Sequence, residues 1–109
     1  HSDGDVRELA EDLIAGGVQA LNLQDLVNGI DWMAAHLKGR ICIDLDIDRQ
    51  NITRAGTPQE IDALIRREVQ TLGSREGGLI LRYDFTPGTP LPNARAVMDA
   101  MERYAGYWS

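Results

Sequence analysis

The pattern of apolar and polar positions predicts that helices and strands alternate along the whole chain. Apolar residues recur at the 3.6-residue spacing of amphipathic helices in some segments and alternate with polar residues, as in strands, in others. The order is helix first, with short connections, so we expect right-handed crossovers and a parallel sheet. The predicted helices are Val6–Ala15, Asp25–Leu37, Pro58–Leu72 and Pro92–Tyr104, and the predicted strands are Val18–Leu23, Ile41–Ile47 and Gly77–Phe85.

Two helices illustrate how specific these signals are. Thr57 is a helix N-cap residue, Pro58 fits the first helical position, and Glu60 completes a capping box. The segment Asp25–Leu37 is predicted to be one continuous helix, with Leu26 and Val27 on its apolar face.

The two faces of the predicted strands differ in polarity. In Ile41–Ile47 the isoleucines and Leu45 share one face, whereas Cys42, Asp44 and Asp46 share the other. A doubly wound sheet carries helices on both faces and needs apolar residues on both. In a β/α barrel, only the outer face meets helices, and polar positions near the strand C-termini line the mouth. A complete barrel has roughly 250 residues, so we expect part of one, with about three strands and four helices.

Composition narrows the possible partners. The formal net charge of −6 argues against nucleic acid and anionic membranes, because both attract positive surfaces. No apolar run approaches the roughly 18 residues of a membrane span, and the N-terminal residues do not form a signal peptide. Cys42 is the only cysteine, so no internal disulfide can form and a reducing, cytoplasmic setting is expected. No linker divides the chain, which predicts a single domain over residues 1–109.

Three stretches in a fixed order carry a resemblance to a known family, and a fourth lies at the start of the chain. They are Ile43–Asn51 (IDLDIDRQN), Gly56–Ile61 (GTPQEI), Pro87–Asn93 (PGTPLPN) and His1–Gly4 (HSDG). Together they resemble the uroporphyrinogen decarboxylase superfamily of TIM (β/α)8 barrels. In that superfamily a G-T-P-E-type helix start follows the seventh strand, a P-x-T-P-x-x-N element follows the eighth, and an H-x-C-G or H-x-D-G element ends the fifth. The resemblance therefore implies the C-terminal part of such a barrel.

The superfamily includes decarboxylases without a cofactor and corrinoid-dependent methyltransferases that use zinc. The decarboxylases carry a G-H-G element after the eighth strand, but residues 83–88 contain no histidine. In the zinc pattern Asp3 stands in place of the first cysteine, and no cysteine lies near Asp84. The sequence therefore departs from both patterns. Its overall pattern is nevertheless more similar to the methyltransferase-like or uncharacterised branch than to the true decarboxylases. The resemblance implies a parent enzyme that acts on a small molecule, possible corrinoid and zinc (or other divalent metal) cofactors, and an isolated chain that is inactive.

The candidate metal ligands are His1 and Asp3, through an imidazole and a carboxylate. The alternative is that Asp3 caps the following helix and His1 is frayed or belongs to a tag. The candidate substrate-binding residues are Asn22, Arg49 and Asn51, near strand ends where barrels often hold anionic groups. A solvated loop is the simpler explanation for Arg49 and Asn51 and is favoured over a binding role.

The candidate catalytic residues are Asp44, Asp46, Arg82 and Asp84. Asp44 and Asp46 are two residues apart on a strand, so they share a face and can influence each other's protonation as acid and base. Arg82 is expected on the adjacent strand, where it can pair with either carboxylate. The alternative is a structural ion pair inside the barrel.

A different class of function is also consistent with the sequence. Part of a barrel exposes unpaired strand edges, which invite pairing with another chain. We therefore also consider a non-catalytic, truncated module that forms a homo-oligomer through its sheet edges, with two copies completing a barrel by twofold symmetry.

Overall fold

The sheet has three parallel strands. A computed structural model describes residues 5–49, 51–84 and 87–108. The strands are β1 (Ala20–Gln24), β2 (Cys42–Asp46) and β3 (Leu79–Arg82), and they lie side by side in chain order. Asn22 pairs in register with Asp44, and Asp46 pairs with Arg82. The predicted α/β class and parallel sheet are confirmed.

Within the described residues there are six helices: α1 (Ala10–Ala15), α2 (Asp25–Asn28), α3 (Ile30–His36), α4 (Ile52–Ala55), α5 (Pro58–Leu72) and α6 (Leu91–Tyr104). The two long ones, α5 and α6, pack against each other, and α5 also contacts α3. Helix α5 begins with the predicted capping box: the Glu60 backbone N–H donates to Thr57 Oγ1 at 3.2 Å, and the Thr57 N–H donates to Glu60 Oε1 at 3.0 Å.

The predicted number of four helices was wrong. The segment Asp25–Leu37 is divided at Gly29, whose φ of 91° lies in the left-handed region that favours glycine and interrupts a right-handed helix. As a result Leu26 and Val27 are 40% and 42% exposed, and do not lie on a buried helix face. The additional helix, α4, lies in the segment after β2 that the sequence presents as a polar loop.

The two faces of the sheet differ as the alternation predicts. One face packs against the helices in two apolar clusters and carries Leu21, Leu23, Ile43, Leu45, Leu79 and Leu81. The opposite face, which we call the polar face, lies outside both clusters and carries Ala20, Asn22, Gln24, Cys42, Asp44, Asp46, Ile80 and Arg82. Within the polar face Ile80 is 50% exposed although it belongs to a parallel sheet.

The overall dimensions agree with a single helix layer on a single sheet. The shortest principal axis is 18 Å, which fits two layers, since a helix with its side chains is about 10 Å across. None of the helices within residues 5–49, 51–84 and 87–108 has the length and apolar character needed to cross a membrane.

Candidate functional site

The carboxyl ends of β1 and β2 open into a cavity of about 270 Å³, which we call the strand-end pocket. Parallel strands bring their carboxyl ends to one edge of a sheet, so residues distant in sequence meet there. Asp46, Arg49 and Asn51, which the sequence singled out, all line the pocket. The remaining lining residues are Gln24, Asp25, Leu26, Val27, Ile47 and Asp48.

Four of the predicted residues form a hydrogen-bonded network on the polar face beside this pocket. Asn22 Nδ2 donates to Asp46 Oδ1 at 3.1 Å and to the Asp44 backbone oxygen at 2.8 Å. Arg82 donates to both carboxylate oxygens of Asp44, from Nε at 3.3 Å and from the guanidinium at 2.8 Å. The bond to Asp44 raises the pKa of Arg82 above its ordinary value. The network therefore joins all three strands.

Asp84 is brought to a different partner. Its carboxylate accepts a hydrogen bond from the Arg49 guanidinium at 3.2 Å, and this pair links the segment after β3 to the segment after β2. The Asp84 side chain is 67% exposed, whereas that of Arg49 is 22% exposed. The pair holds Arg49 against the wall of the strand-end pocket.

Asp48 organises the backbone after β2. Its carboxylate accepts hydrogen bonds from the backbone N–H groups of Asn51, Ile52 and Thr53, at the start of α4. The Thr53 hydroxyl donates back to the Asp48 carbonyl at 2.6 Å. The backbone of Asn51, a predicted substrate-binding residue, is thus held in place by Asp48.

Two positions of the resembled motifs have a direct structural explanation. The buried Asn93 donates through Nδ2 to the backbone oxygens of Thr53 at 3.1 Å and Gly56 at 3.0 Å, which ties α6 to the segment around α4. A Cβ atom at Gly56 would lie 2.5 Å from the Ile52 carbonyl oxygen. Asn93 and Gly56 therefore both help to fix the backbone of the segment around α4, which follows β2.

Sequence reasoning missed a buried pair of carboxyl groups, Asp25 and Glu68. Asp25 is 1% exposed and Glu68 is 0% exposed, and the two carboxyl groups lie close enough to act on each other's pKa. Asp25 also accepts hydrogen bonds from the backbone N–H of Leu26 at 2.6 Å and of Asp48 at 3.0 Å. Burial raises the pKa of both carboxyl groups, that of Glu68 well above its ordinary value.

A signal for Glu68 was present in the sequence. Ile61, Ile65, Glu68 and Leu72 follow one another at the spacing of a single helix face, and all four are buried. A carboxyl group in an otherwise apolar stripe is unusual, because burying a charge is costly without a partner. Asp25 carried no such signal, since an acidic residue is common in the first turn of a helix.

The metal prediction rests on residues that the structure does not describe. His1 and Asp3 both lie outside the described residues. Within residues 5–49, 51–84 and 87–108, no group of three or more histidine, cysteine or acidic side chains could hold a metal ion. On the polar face, Arg82 engages both oxygens of Asp44. The described residues therefore do not themselves form a zinc site.

Comparison with protein-family models, curated proteins and solved structures found no match to this chain. The resemblance to the uroporphyrinogen decarboxylase superfamily therefore remains a prediction from the motifs.

Proposed function

We propose that this chain forms one wall of a small-molecule catalytic site in an enzyme similar to the uroporphyrinogen decarboxylase superfamily, with its strands as the last consecutive strands of a β/α barrel. One observation supports this above all: the parallel strands lie in chain order, with helices packed on one face and a polar network on the other. In a barrel the helix-free face points inward and catalytic residues lie at the strand C-termini.

The proposed roles follow from the contacts. Asp46 is 4% exposed, is held by Asn22 and borders the strand-end pocket, so it is the proposed acid or base. Arg82 is fixed by Asp44 while its side chain stays 55% exposed, and a partly exposed guanidinium suits an anionic group of a substrate. Arg49 provides a second cation at the pocket wall.

The size and lining of the pocket favour a small ligand of mixed polarity. Leu26 and Val27 supply apolar surface beside the carboxylates of Asp46 and Asp48. Binding pockets commonly combine apolar walls with a few placed polar groups. By resemblance the parent reaction is methyl transfer from a methylated small molecule to a corrinoid, and decarboxylation of a tetrapyrrole is the other chemistry of the superfamily.

If the parent enzyme uses zinc or another divalent metal, the proposed ligands are His1 and Asp3, because these residues match the H-x-C-G or H-x-D-G element of the superfamily and offer an imidazole and a carboxylate.

The test is an activity assay on the complete natural protein with site and control variants. Purified protein is incubated with a panel of methylated amines, alcohols, thiols and aryl ethers and reduced cobalamin, and formation of methylcobalamin is followed by absorbance. A parallel arm measures carboxylate loss from uroporphyrinogen. Asp46→Asn is expected to lower the rate by about 10²–10⁴-fold, the usual contribution of a general acid or base. Arg82→Met is expected to raise KM.

The control uses an ion pair of the same type on the helix surface. Arg67 and Asp31 contact each other at 3.0 Å with both side chains exposed, so Arg67→Met and Asp31→Asn should leave the rate unchanged. The proposal fails if the complete protein turns over no member of either panel, or if Asp46→Asn and the control variants have equal rates.

A second candidate function is a non-catalytic module that associates with a second copy of itself. The observation that favours it is that, within the described residues, neither the outer edge of β1 nor that of β3 is paired with a further strand. A groove of about 470 Å³ beside β3, lined by residues that include Leu81, Met101 and Trp108, offers apolar surface next to that edge. Light scattering over a range of concentrations tests this: a dimer supports it, and a stable monomer contradicts it.

A further inference from the structure

The Asp25–Glu68 pair lies between the strand-end pocket and helix α5. Asp25 follows β1 directly and lines the pocket, whereas Glu68 lies near the middle of α5. Through its second oxygen, Asp25 also holds the Asp48 backbone N–H, and Asp48 in turn organises the start of α4. A single pair of carboxyl groups therefore connects β1, the segment after β2, and α5.

The hydrogen bonding shows where a proton must reside. Neither Glu68 oxygen accepts a hydrogen bond from an N–H or hydroxyl group of the described residues. Glu68 and Asp25 are nevertheless both buried and close enough to interact. Two ionised carboxylates offer only acceptors, so a hydrogen bond between them requires that one of the two groups carries a proton.

The backbone contacts indicate which group that is. Asp25 accepts two backbone N–H bonds, which favour its ionised form. Glu68 accepts none from the described residues and is fully buried, which favours its neutral form. Glu68 is therefore the donor and Asp25 the acceptor.

We propose that Asp25 and Glu68 form a proton-dependent latch that fastens the strand-end pocket to helix α5, closed while Glu68 donates a proton to Asp25 and released when that proton is lost. The latch does not depend on the proposed enzymatic function. Deprotonation leaves two negative charges in contact in a dry environment, so the structure is expected to separate them by moving the segment at Asp25 away from α5.

Other charged groups act on the pair in opposite directions. The backbone N–H of Asp48, in the segment after β2, lowers the pKa of Asp25, whereas the negative charge of its carboxylate raises the pKa of both carboxyl groups. Arg67, the neighbour of Glu68 on α5, lowers the pKa of Glu68, but Arg67 is also paired with Asp31 of α3. Desolvation by burial is the largest effect on the pKa of Glu68 and the Asp25 carboxyl group is the next, and both favour the protonated form of Glu68.

The sign of the pH dependence follows from proton binding. The pKa of Glu68 is raised from 4.5 in the folded protein, so the folded state holds one more proton than the unfolded state above that pH. The stabilisation from the latch is complete below pH 4.5 and decreases as the pH rises to the folded-state pKa. Within that window the unfolding equilibrium constant should rise about tenfold per pH unit from this group.

Glu68→Gln tests the latch because the amide donates to Asp25 without a titrating proton. Urea unfolding of the wild-type chain and of Glu68→Gln is compared between about pH 5 and pH 8. We expect the ratio of their unfolding constants to increase with pH in favour of the variant. The matched control is Glu102→Gln, at an exposed position of α6, for which the ratio to wild type should not change in this way. A pH-independent ratio for Glu68→Gln would overturn the proposal.

A measurement on the unmodified chain keeps the proposal testable if the variant does not fold. The carboxyl carbon of Glu68 is followed by NMR as the pH is raised, together with hydrogen exchange of the Asp48 amide. The expected result is a Glu68 titration well above pH 4.5, accompanied by faster exchange at Asp48 than base catalysis alone produces. A Glu68 titration at its ordinary pKa, or exchange at Asp48 that follows base catalysis alone, would refute the latch.

Discussion

Replacement of Asn93 by alanine tests whether the stability of the segment around α4 depends on a single buried side-chain amide. Asn93 is 5% exposed, and its Nδ2 group donates to two backbone oxygens, those of Thr53 and Gly56. The loss of each hydrogen bond lowers the free energy of unfolding by about 1 kcal/mol. The buried carbonyl groups that lose their donor add to this cost, so the total is about 2–4 kcal/mol. The better helix propensity of alanine returns about 0.5 kcal/mol, so the expected net loss is about 2–3 kcal/mol.

The loss is measured by urea unfolding followed by circular dichroism. A domain of this size is typically stable by about 5–15 kcal/mol, so a change of this magnitude is easily resolved. Asn93→Asp keeps the shape of the side chain but removes the donor, and it should destabilise the fold at least as much as Asn93→Ala. Arg95→Ala, at an exposed position of the same helix, is the control and should stay within about 0.5 kcal/mol of wild type. If Asn93→Ala is as mild as this control, the two hydrogen bonds do not hold the segment.

Two further predictions concern glycines at which an added Cβ atom would come too close to a neighbouring group. Gly56→Ala should destabilise the fold by about 1–3 kcal/mol, because its Cβ would lie 2.5 Å from the Ile52 carbonyl oxygen; unchanged urea unfolding would contradict this. Gly73→Ala should displace Trp108, whose Nε1 lies 2.6 Å from the added Cβ and donates to a backbone carbonyl. Its fluorescence, measured in a Trp32→Phe background, should shift toward that of solvated tryptophan, and an unchanged spectrum would refute the packing.

Local patterns in the sequence predicted much of the fold correctly. The alternation in Ile41–Ile47 placed the apolar residues on the helix-covered face and Asp44 with Asp46 on the other, because side chains alternate along a strand. The capping box at Thr57 marked the start of α5 correctly, since capping depends only on neighbouring residues. The boundaries near Gly29 were wrong, because one left-handed glycine divides a helix without changing its apolar spacing.

The candidate site was only partly accessible from sequence. Asp44, Asp46 and Arg82 were expected near one another from strand alternation alone, and the structure places them in one network with Asn22. The partner of Asp84 could not be predicted, because Arg49 belongs to a different segment and the contact depends on how two loops fold over the strand ends.

The sequence by itself determined the parallel α/β sheet with its polar and apolar faces, since these follow from local periodicity and from the handedness of the connections. Only the tertiary structure decided which polar groups become buried together. Asp25 and Glu68 are 43 positions apart, and nothing in either local pattern specifies the other. They come together because the folded chain buries Asp25, directly after β1, and Glu68 of α5 in the same water-free region, where burial raises the pKa of both carboxyl groups.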